Sequence, residues 1–210
     1  MKEKEIERLI KIKEIEKDLY NKGFKNICGI DEAGRGPLAG PVVVAGVIMP
    51  ENSMIEWIND SKKVTEKRRE FLYDVIKEEA ISYSIAVIDQ NVIDDINILS
   101  ATKQGVTEVV DGLKVKPDLI IVDALTHINT RGIPYEPIVK GDAKCYNIAA
   151  ASILAKVTRD RIMRQWDEIY PQYGFASHKG YGTAKHIAAI KEYGLCPIHR
   201  KTFTKHFTNS

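Results

Sequence analysis

The sequence has few of the features that mark secreted, membrane-spanning or disulfide-stabilised proteins. No apolar run approaches the roughly 20 residues that cross a bilayer, and the charged N-terminus, MKEKE, lacks the apolar segment of a secretory signal. The three cysteines, Cys28, Cys145 and Cys196, lie far apart and form no Cys-x-x-Cys pair. This spacing argues against a zinc site or a disulfide framework and favours small buried thiols. We therefore expect a cytoplasmic protein.

The composition otherwise describes an ordinary globular chain of 210 residues, with 44% hydrophobic and 29% charged residues. The net charge of +2 conceals an asymmetry between the two ends of the chain. Residues 150–210 contain ten Lys or Arg against four Asp or Glu, whereas residues 1–149 contain 21 against 25. A basic C-terminal third suits a polyanion-binding face beside an acidic, metal-binding remainder, and a solvated basic surface fits the charges equally well.

The order of hydrophobic patterns predicts an α/β domain around a central sheet. Residues 3–20 have apolar residues at helical spacing and predict an amphipathic helix that ends at Gly23. The predicted strands cover 27–31, 42–49, 81–88, 119–122 and 137–139. One later helix is predicted to begin after Thr65. Three more are predicted at 96–110, 143–166 and 184–193. One buried face of the third strand is predicted to carry Ile81, Tyr83, Ile85 and Val87.

The segment Asp31-Glu32-Ala33-Gly34-Arg35-Gly36 directly follows the first predicted strand. Two adjacent carboxylates at a strand end can bind a hard divalent cation through oxygen. The arginine between two glycines can approach a phosphate or a sugar closely, because glycine adds no side-chain bulk. An isolated Asp-Glu pair usually marks an acidic surface turn, but the neighbouring Gly-Arg-Gly weakens that interpretation.

Two further acidic residues have the same context, since Asp123 follows a second predicted strand and Asp142 follows a third. Because strand ends of one sheet meet at an edge, we expect these two residues to converge with Asp31 and Glu32. Clustered carboxylates repel one another unless cations neutralise them, and all-oxygen ligands favour Mg²⁺ or Mn²⁺ over zinc. Two such ions, about 3.5–4 Å apart, can activate water and stabilise the leaving oxygen in phosphodiester cleavage.

A second group of polar residues, HKGYGT, places Tyr181 between two glycines. An exposed tyrosine in this setting can stack on a sugar or a base, while Lys179 and Thr183 can reach phosphates. A polar turn with a half-buried tyrosine is the alternative interpretation. The segment DSKK, which contains Lys62, has a weaker potential to contact a phosphate backbone.

Taken in order, these motifs resemble ribonuclease HII, the prokaryotic type 2 ribonuclease H. The resemblance covers about residues 25–203 and includes GIDEAGRGPLAGP at 29–41, DSKK at 60–63, INIL at 96–99, VD at 122–123, KGDAK at 140–144, IAAASILAKVTRDR at 148–161, YGF at 173–175, HKGYGT at 178–183 and PIHR at 197–200. Each motif alone is short, but the ordered set is highly specific.

The resemblance implies a ribonuclease H-like fold, with a mixed five-stranded sheet flanked by helices and a C-terminal helical substrate-binding region. It implies endonucleolytic cleavage of RNA in RNA–DNA hybrids and of single ribonucleotides embedded in duplex DNA. Cuts 5′ to the ribonucleotide would leave 3′-hydroxyl and 5′-phosphate ends, as in ribonucleotide excision and RNA primer removal. We assign residues 1–22 to an N-terminal helical extension and residues 23–210 to the catalytic domain, including its basic C-terminal region.

Individual roles carry over from the matching motifs. The resemblance assigns catalysis and metal binding, with two Mn²⁺ or Mg²⁺ ions in the substrate complex, to Asp31, Glu32, Asp123 and Asp142. It assigns recognition of the ribonucleotide 2′-hydroxyl, the group that separates RNA from DNA, to Gly34, Arg35 and Gly36. Tyr181 would pack on the sugar of the neighbouring deoxynucleotide. Further substrate contacts are assigned to Lys62, Lys144, Ser152, Lys179 and Thr183.

The chain departs from the family pattern after Asp123, where ALTH stands in place of the Gly-Asn of many relatives. This leaves the metal ligand intact and leaves His127, which we expect at the surface, without an assigned role. Cys145 also receives none. Residues 3–20 are too short for the separate N-terminal domain expected of ribonuclease HIII, the sister family that would favour longer runs of RNA.

A different class of protein, a non-catalytic nucleic-acid-binding module, is also compatible with the basic C-terminal face. That alternative predicts gaps among the four carboxylates, and none is missing. We expect a monomer that binds an RNA–DNA hybrid or ribonucleotide-containing duplex. The last ten residues, 201–210, lack a clear sliding-clamp-binding peptide, although Phe203 and Phe207 leave weak room for one.

Overall fold

A mixed five-stranded sheet organises residues 2–208, the part of the chain that this computed structural model describes. Its strands are β1 (Ile27–Ala33), β2 (Val42–Ile48), β3 (Ser82–Ile88), β4 (Leu119–Asp123) and β5 (Tyr135–Ile138). The spatial order is β3-β2-β1-β4-β5, with antiparallel pairing from β3 to β1 and parallel pairing from β1 to β5. The predicted mixed sheet and the position of each strand are confirmed.

Helices cover both faces of this sheet, and further helices follow toward the C-terminus of the chain. They are α1 (Glu3–Ile12), α2 (Glu14–Asn21), α3 (Glu66–Glu79), α4 (Gln90–Ile96), α5 (Ile98–Gly112), α6 (Gly141–Lys144), α7 (Tyr146–Ile169), α8 (Phe175–His178), α9 (Ala184–Tyr193) and α10 (Lys201–Thr208). Two 3₁₀ turns lie at Ser61–Lys63 and Pro171–Tyr173. No helix within residues 2–208 is both long and apolar enough to cross a membrane.

Strand β2, which lies between β3 and β1, is buried on both faces, which explains its unbroken apolar sequence VVVAGVI. Val43 and Val47 belong to the core on the α7 side of the sheet. Val44 and Ile48 alternate with them and pack in a second core with Val109 of α5. The middle of the sheet is therefore covered on both faces, and its edges and strand ends are available for chemistry.

Helix α7 crosses the sheet directly behind β1. A Cβ atom on Gly29 would lie 2.2 Å from the backbone carbon of Asn147, so only glycine lets the helix approach this closely. Three small residues in the first turns of α7, Ala149 to Ala151, are also fully buried. The predicted helix 143–166 is correct in place, but extended backbone at Cys145 separates the short α6 from α7.

The N-terminal extension consists of two helices rather than one, with the break at Lys13. It packs into the domain core through Leu9 and Leu19, both almost fully buried. The buried Glu16 carboxylate accepts a 2.9 Å hydrogen bond from the backbone N–H of Asn147, in the first turn of α7. The extension thus stabilises the N-terminus of the longest helix, while the domain boundary between residues 22 and 23 stays a prediction.

Three other predictions need correction. The helix predicted at 96–110 is divided at Asn97, whose φ is +67° and whose side chain accepts 3.0 Å hydrogen bonds from the first N–H groups of α5. Strand β3 is an edge strand, and its Val87 and the preceding Ile81 are exposed although they were predicted to be buried, whereas Ala86 and Ile88 are buried instead. The basic tail that follows α9 forms a further helix, α10.

Candidate active site

The parallel register of β1 and β4 brings the first two predicted carboxylates together. The register runs to Ile30 opposite Val122, so the next residues on the two strands, Asp31 and Asp123, occupy neighbouring positions. The Asp123 carboxylate accepts a 2.7 Å hydrogen bond from the backbone N–H of Gly141, at the start of α6. This bond ties the end of β4 to the residue that precedes Asp142, as the convergence of strand ends predicts.

Electrostatic interactions confirm that the four carboxylates share one environment. Burial raises the pKa of Asp31 well above its ordinary value, and the charges of Glu32, Asp123 and Asp142 raise it further. Burial also raises the pKa values of Glu32 and Asp123, against opposing contributions from Arg35 and from the Gly141 N–H respectively. Crowded, desolvated carboxylates of this kind call for a positive counter-charge.

Two basic side chains supply part of that counter-charge. Arg35 Nη1 lies 3.3 Å from Glu32 Oε1, and Lys62 Nζ lies 3.5 Å from Asp142 Oδ2. Among residues 2–208, no three His, Cys, Asp or Glu side chains form a ready-made metal cluster. The donors are nevertheless all carboxylate oxygens at one sheet edge, which fits a hard divalent cation. Such a cation would neutralise the carboxylates in place of these two basic groups.

A cavity of about 350 Å³ opens beside Asp31 and Glu32, whereas Asp123 and Asp142 lie outside its lining. Its lining combines the acidic, glycine-rich and aromatic predictions with basic groups: Asp31, Glu32, Ala33, Gly34, Arg35, Gly36, Ser61, Lys62, Lys156, Arg159 and Tyr181. The ring of Tyr181 is half-exposed, as its proposed stacking role requires. The fold therefore places the carboxylates beside a loop and an aromatic ring suited to a sugar.

Gly34 has a structural reason to be glycine. Its φ is +99°, and a Cβ atom there would lie 2.1 Å from the Nε of Arg159. That guanidinium is almost fully buried and donates hydrogen bonds of 2.9, 2.9 and 3.1 Å to the carbonyls of Pro41, Lys179 and Ala39. One arginine thus joins the Gly-Arg-Gly loop to the loop that carries Tyr181.

A second buried arginine holds the same loop through the loop's carbonyl groups. Arg200 donates hydrogen bonds of 2.6, 2.9 and 2.9 Å to the carbonyls of Gly34, Arg35 and Gly40. Burial lowers the pKa of Arg200 to about 9 and that of Arg159 to about 10. Both remain protonated at neutral pH, so they also place positive charge beneath the cavity.

Sequence reasoning assigned no role to these two arginines. Arg159 had a readable signal, because its helical neighbours four residues away, Ala155 and Met163, are apolar and define a buried stripe. An arginine in such a stripe needs hydrogen-bond acceptors nearby. Nothing local marked Arg200, whose partners lie some 160 positions away along the chain.

Two of the predicted substrate contacts are turned away from the cavity. Ser152 is buried and accepts a 3.2 Å hydrogen bond from the backbone N–H of Ser61, so it supports the turn that presents Lys62. The ammonium of Lys179 donates to the carbonyl of Ala176, and this side chain is buried.

Thr183 and Lys144, two more predicted contacts, lie at the surface, whereas Lys62 lines the cavity. The Thr183 hydroxyl accepts a 3.2 Å hydrogen bond from the His186 N–H and caps α9. Lys144 lines a separate groove together with Lys11 and Lys63. These positions leave both side chains outside the cavity lining.

The residues left without a role have structural explanations. His127 is exposed, as expected, with its Nδ1 3.1 Å from the Thr126 hydroxyl. All three cysteines are free, and Cys28 and Cys145 are fully buried as predicted. Cys196 is only partly buried, and its Sγ lies 3.1 Å from Nδ1 of His199.

Comparisons with known proteins agree with this geometry. The family profile of ribonuclease HII matches residues 28–209. Ribonuclease HII of Acetivibrio thermocellus is 57% identical over 205 residues, which cover 98% of this chain and 80% of that protein. The crystal structure of ribonuclease H2 from Pyrococcus horikoshii has a TM-score of 0.73 and 26% identity, covering 88% of this chain and 100% of that one. The enzyme in a PCNA:RNase HII complex from Archaeoglobus fulgidus has a TM-score of 0.72 and 27% identity, covering 88% and 97%.

Proposed function

This chain belongs to the ribonuclease HII family, and we propose that the four carboxylates described above are its catalytic metal ligands. Membership makes the protein a ribonuclease H, an endonuclease that acts on RNA–DNA hybrids, in a family that depends on a divalent metal ion. The observation that carries the residue assignment is the β1–β4 register, which sets Asp123 beside Asp31, one of the residues that line the cavity.

The residues divide the reaction between them. Asp31, Glu32, Asp123 and Asp142 hold Mg²⁺ or Mn²⁺, with two ions in the substrate complex. When bound, the metal lowers the pKa of water and stabilises charge on the phosphate oxygens. The high pKa values of three of these carboxylates mean that their charges are already poorly compensated in the protein. Their mutual repulsion therefore favours cation binding.

The Gly-Arg-Gly loop and Tyr181 provide selectivity. Gly34, Arg35 and Gly36 read the 2′-hydroxyl. Arg200 holds this segment before substrate arrives through the carbonyls of Gly34 and Arg35, and Arg159 does so through the carbonyl of Pro41. The ring of Tyr181 packs on the sugar of the neighbouring deoxynucleotide. We therefore propose that the enzyme prefers a ribonucleotide that precedes DNA and cuts on its 5′ side, as ribonucleotide excision and primer removal require.

A duplex carrying one ribonucleotide, incubated with Mn²⁺ or Mg²⁺, tests this proposal. Asp123→Asn keeps the acceptor for the Gly141 N–H but removes a charged ligand, so cleavage should fall roughly 100- to 1,000-fold while duplex binding persists. The matched control is Asp111→Asn, which replaces an exposed carboxylate paired with Arg131. This variant should cleave normally. Retained turnover by Asp123→Asn would remove this residue from the site.

The same assay separates the alternative functions. Binding without cutting would support a non-catalytic module, and cutting only within longer RNA tracts would support specificity like that of ribonuclease HIII. The cytoplasmic location and the monomeric state stay predictions. Phe203 and Phe207 both pack against the protein core, which weakens the case for a clamp-binding peptide in α10.

A further inference from the structure

The backbone around Tyr181 is held by histidine side chains rather than by contacts of the tyrosine ring. Within the described residues the Tyr181 hydroxyl makes no hydrogen bond, and the ring lies over the Arg159 guanidinium at 5.9 Å. The Tyr181 carbonyl, in contrast, lies 2.9 Å from Nδ1 of His186. The preceding residue, Gly180, donates its backbone N–H to Nδ1 of His178 over 3.2 Å. The ring direction therefore depends on the backbone.

Each ring nitrogen of these histidines faces a partner that fixes its protonation. A carbonyl accepts only, so Nδ1 of His186 must carry a hydrogen toward Tyr181 O, and its Nε2 must then accept. His186 Nε2 lies 3.0 Å from Nε2 of His199, which must therefore donate. Nδ1 of His199 is then free to accept the 2.9 Å hydrogen bond from the Cys196 N–H. The chain of hydrogen bonds has one consistent direction, and both rings are neutral.

The third histidine follows the same logic. Nε2 of His178 lies 2.8 Å from the carbonyl of Tyr173 and must donate to it, which leaves Nδ1 as the acceptor for the Gly180 N–H. The His178 and His186 rings stack at 4.5 Å. Three histidines thus connect the fixed Tyr173–Phe175 region and the Cys196 turn to the two peptide units that orient Tyr181.

The surroundings keep these rings neutral. His186 and His199 are almost completely buried, and burial lowers both of their pKa values, that of His199 to about 4. Phe175 packs edge-on against the His186 ring at 5.4 Å and excludes water. A second hydrogen on His186 would face the Nε2–H of His199, and a hydrogen on His199 Nδ1 would exchange the 2.9 Å bond from the Cys196 N–H for a longer contact of 3.3 Å to the Cys196 carbonyl, so the neutral forms keep the shortest bonds.

We propose that His186 and His199 are positioning residues for substrate selectivity: their hydrogen-bonded pair fixes the Tyr181 carbonyl and thereby the angle at which the tyrosine ring meets the sugar next to the ribonucleotide. This inference rests on the proposed role of Tyr181. Neither histidine touches the cavity, so both act through Tyr181.

Substitutions can separate the hydrogen bond from the bulk of the ring. In His186→Asn, the amide nitrogen takes the approximate place of Nδ1 and can still donate to Tyr181 O, whereas His186→Leu cannot. We compare kcat and KM of the full chain on a single-ribonucleotide duplex and on a uniform RNA–DNA hybrid. His186→Leu loses one net hydrogen bond. We therefore expect it to lower, about fivefold, the ratio of kcat/KM on the single-ribonucleotide duplex to kcat/KM on the uniform hybrid. His186→Asn should restore most of that ratio.

Parallel measurements on Tyr181→Ala, alone and combined with His186→Leu, distinguish the proposed role of Tyr181 from the positioning role of His186. The double variant should show the selectivity of Tyr181→Ala alone, because His186 acts through that ring. An unchanged ratio in Tyr181→Ala would overturn the proposed role of the tyrosine. A changed ratio in Tyr181→Ala with an unchanged ratio in folded His186→Leu would overturn the positioning role of His186.

A measurement on the unmodified protein covers the case in which His186→Leu does not fold. Nitrogen-15 NMR of the imidazoles reports which ring nitrogen carries the hydrogen. We expect His186 to be protonated at Nδ1, and His178 and His199 at Nε2, at neutral pH. A hydrogen on Nε2 of His186 would refute the hydrogen-bonded pair and the inference with it.

Discussion

Replacing Gly34 by alanine tests whether the substrate-reading loop is a rigid element. The substitution combines two penalties: a left-handed backbone that disfavours any Cβ, and a Cβ position 2.1 Å from Nε and 2.4 Å from Cδ of Arg159. The first costs roughly 1–2 kcal/mol. The second forces a buried side chain to move and costs roughly 1–3 kcal/mol. We therefore expect Gly34→Ala to lower the free energy of unfolding by roughly 2–5 kcal/mol.

Two other glycines separate these penalties. Gly132 has a φ of +82° with no atom within 4 Å of an added Cβ, so Gly132→Ala should incur only the backbone penalty, roughly 1–2 kcal/mol. Gly36 has no positive φ, and its nearest neighbour is Cε1 of Tyr181 at 3.9 Å. Gly36→Ala should therefore change stability by less than about 0.5 kcal/mol. Its effect should appear in cleavage instead, because the methyl group enters the cavity.

Urea unfolding followed by circular dichroism measures all three variants on one scale. The expected order of destabilisation is Gly34→Ala, then Gly132→Ala, then Gly36→Ala. If Gly34→Ala were no less stable than Gly132→Ala, Arg159 would be free to shift. The three hydrogen bonds of Arg159 would then not hold the segment that follows Gly36 rigidly beside the loop that carries Tyr181, which would contradict a preformed substrate site.

Two further predictions concern the N-terminal extension. Burial raises the pKa of Glu16 from 4.5 to about 7, so its stabilising contribution is present below about pH 4.5 and is lost as pH rises through about 7, a change of roughly 3 kcal/mol. Glu16→Gln should therefore become increasingly more stable than wild type between pH 5 and 8 in urea unfolding; a constant difference would contradict the raised pKa. Leu9→Ala should lower the free energy of unfolding by about 2–5 kcal/mol because Leu9 is fully buried. Ile10→Ala should lower it little, since Ile10 is exposed. Equal effects would show that the extension is not part of the core.

Local sequence rules predicted the elements of this fold well wherever neighbouring residues decide the backbone. The apolar runs of β1, β2 and β4 and the apolar periodicity of α9 were sufficient to place those elements. The rules were weaker where a single residue or a distant contact decides. The positive φ of Asn97 divides a predicted helix, and the position of β3 at the sheet edge exposes Val87.

The candidate site divides in the same way. The carboxylates, Gly34–Gly36 and Tyr181 were identified because their chemistry is written in short motifs and in the order of those motifs. The structure turns Lys179 and Ser152 away from the cavity, since an ammonium or a hydroxyl can be directed by a neighbour that the sequence does not reveal.

The sequence by itself determined the groups to which we assign the chemistry: carboxylate oxygens proposed to bind a hard metal ion, a glycine-rich loop proposed to contact the ribose, and an aromatic ring proposed to pack on the next sugar. Only the tertiary structure decided how these groups are held. The supports, Arg159, Arg200 and the His186–His199 pair, bind carbonyls and rings far away along the chain. Such contacts depend on three-dimensional proximity, which the strand register and the packing of α7 create and which no local pattern encodes.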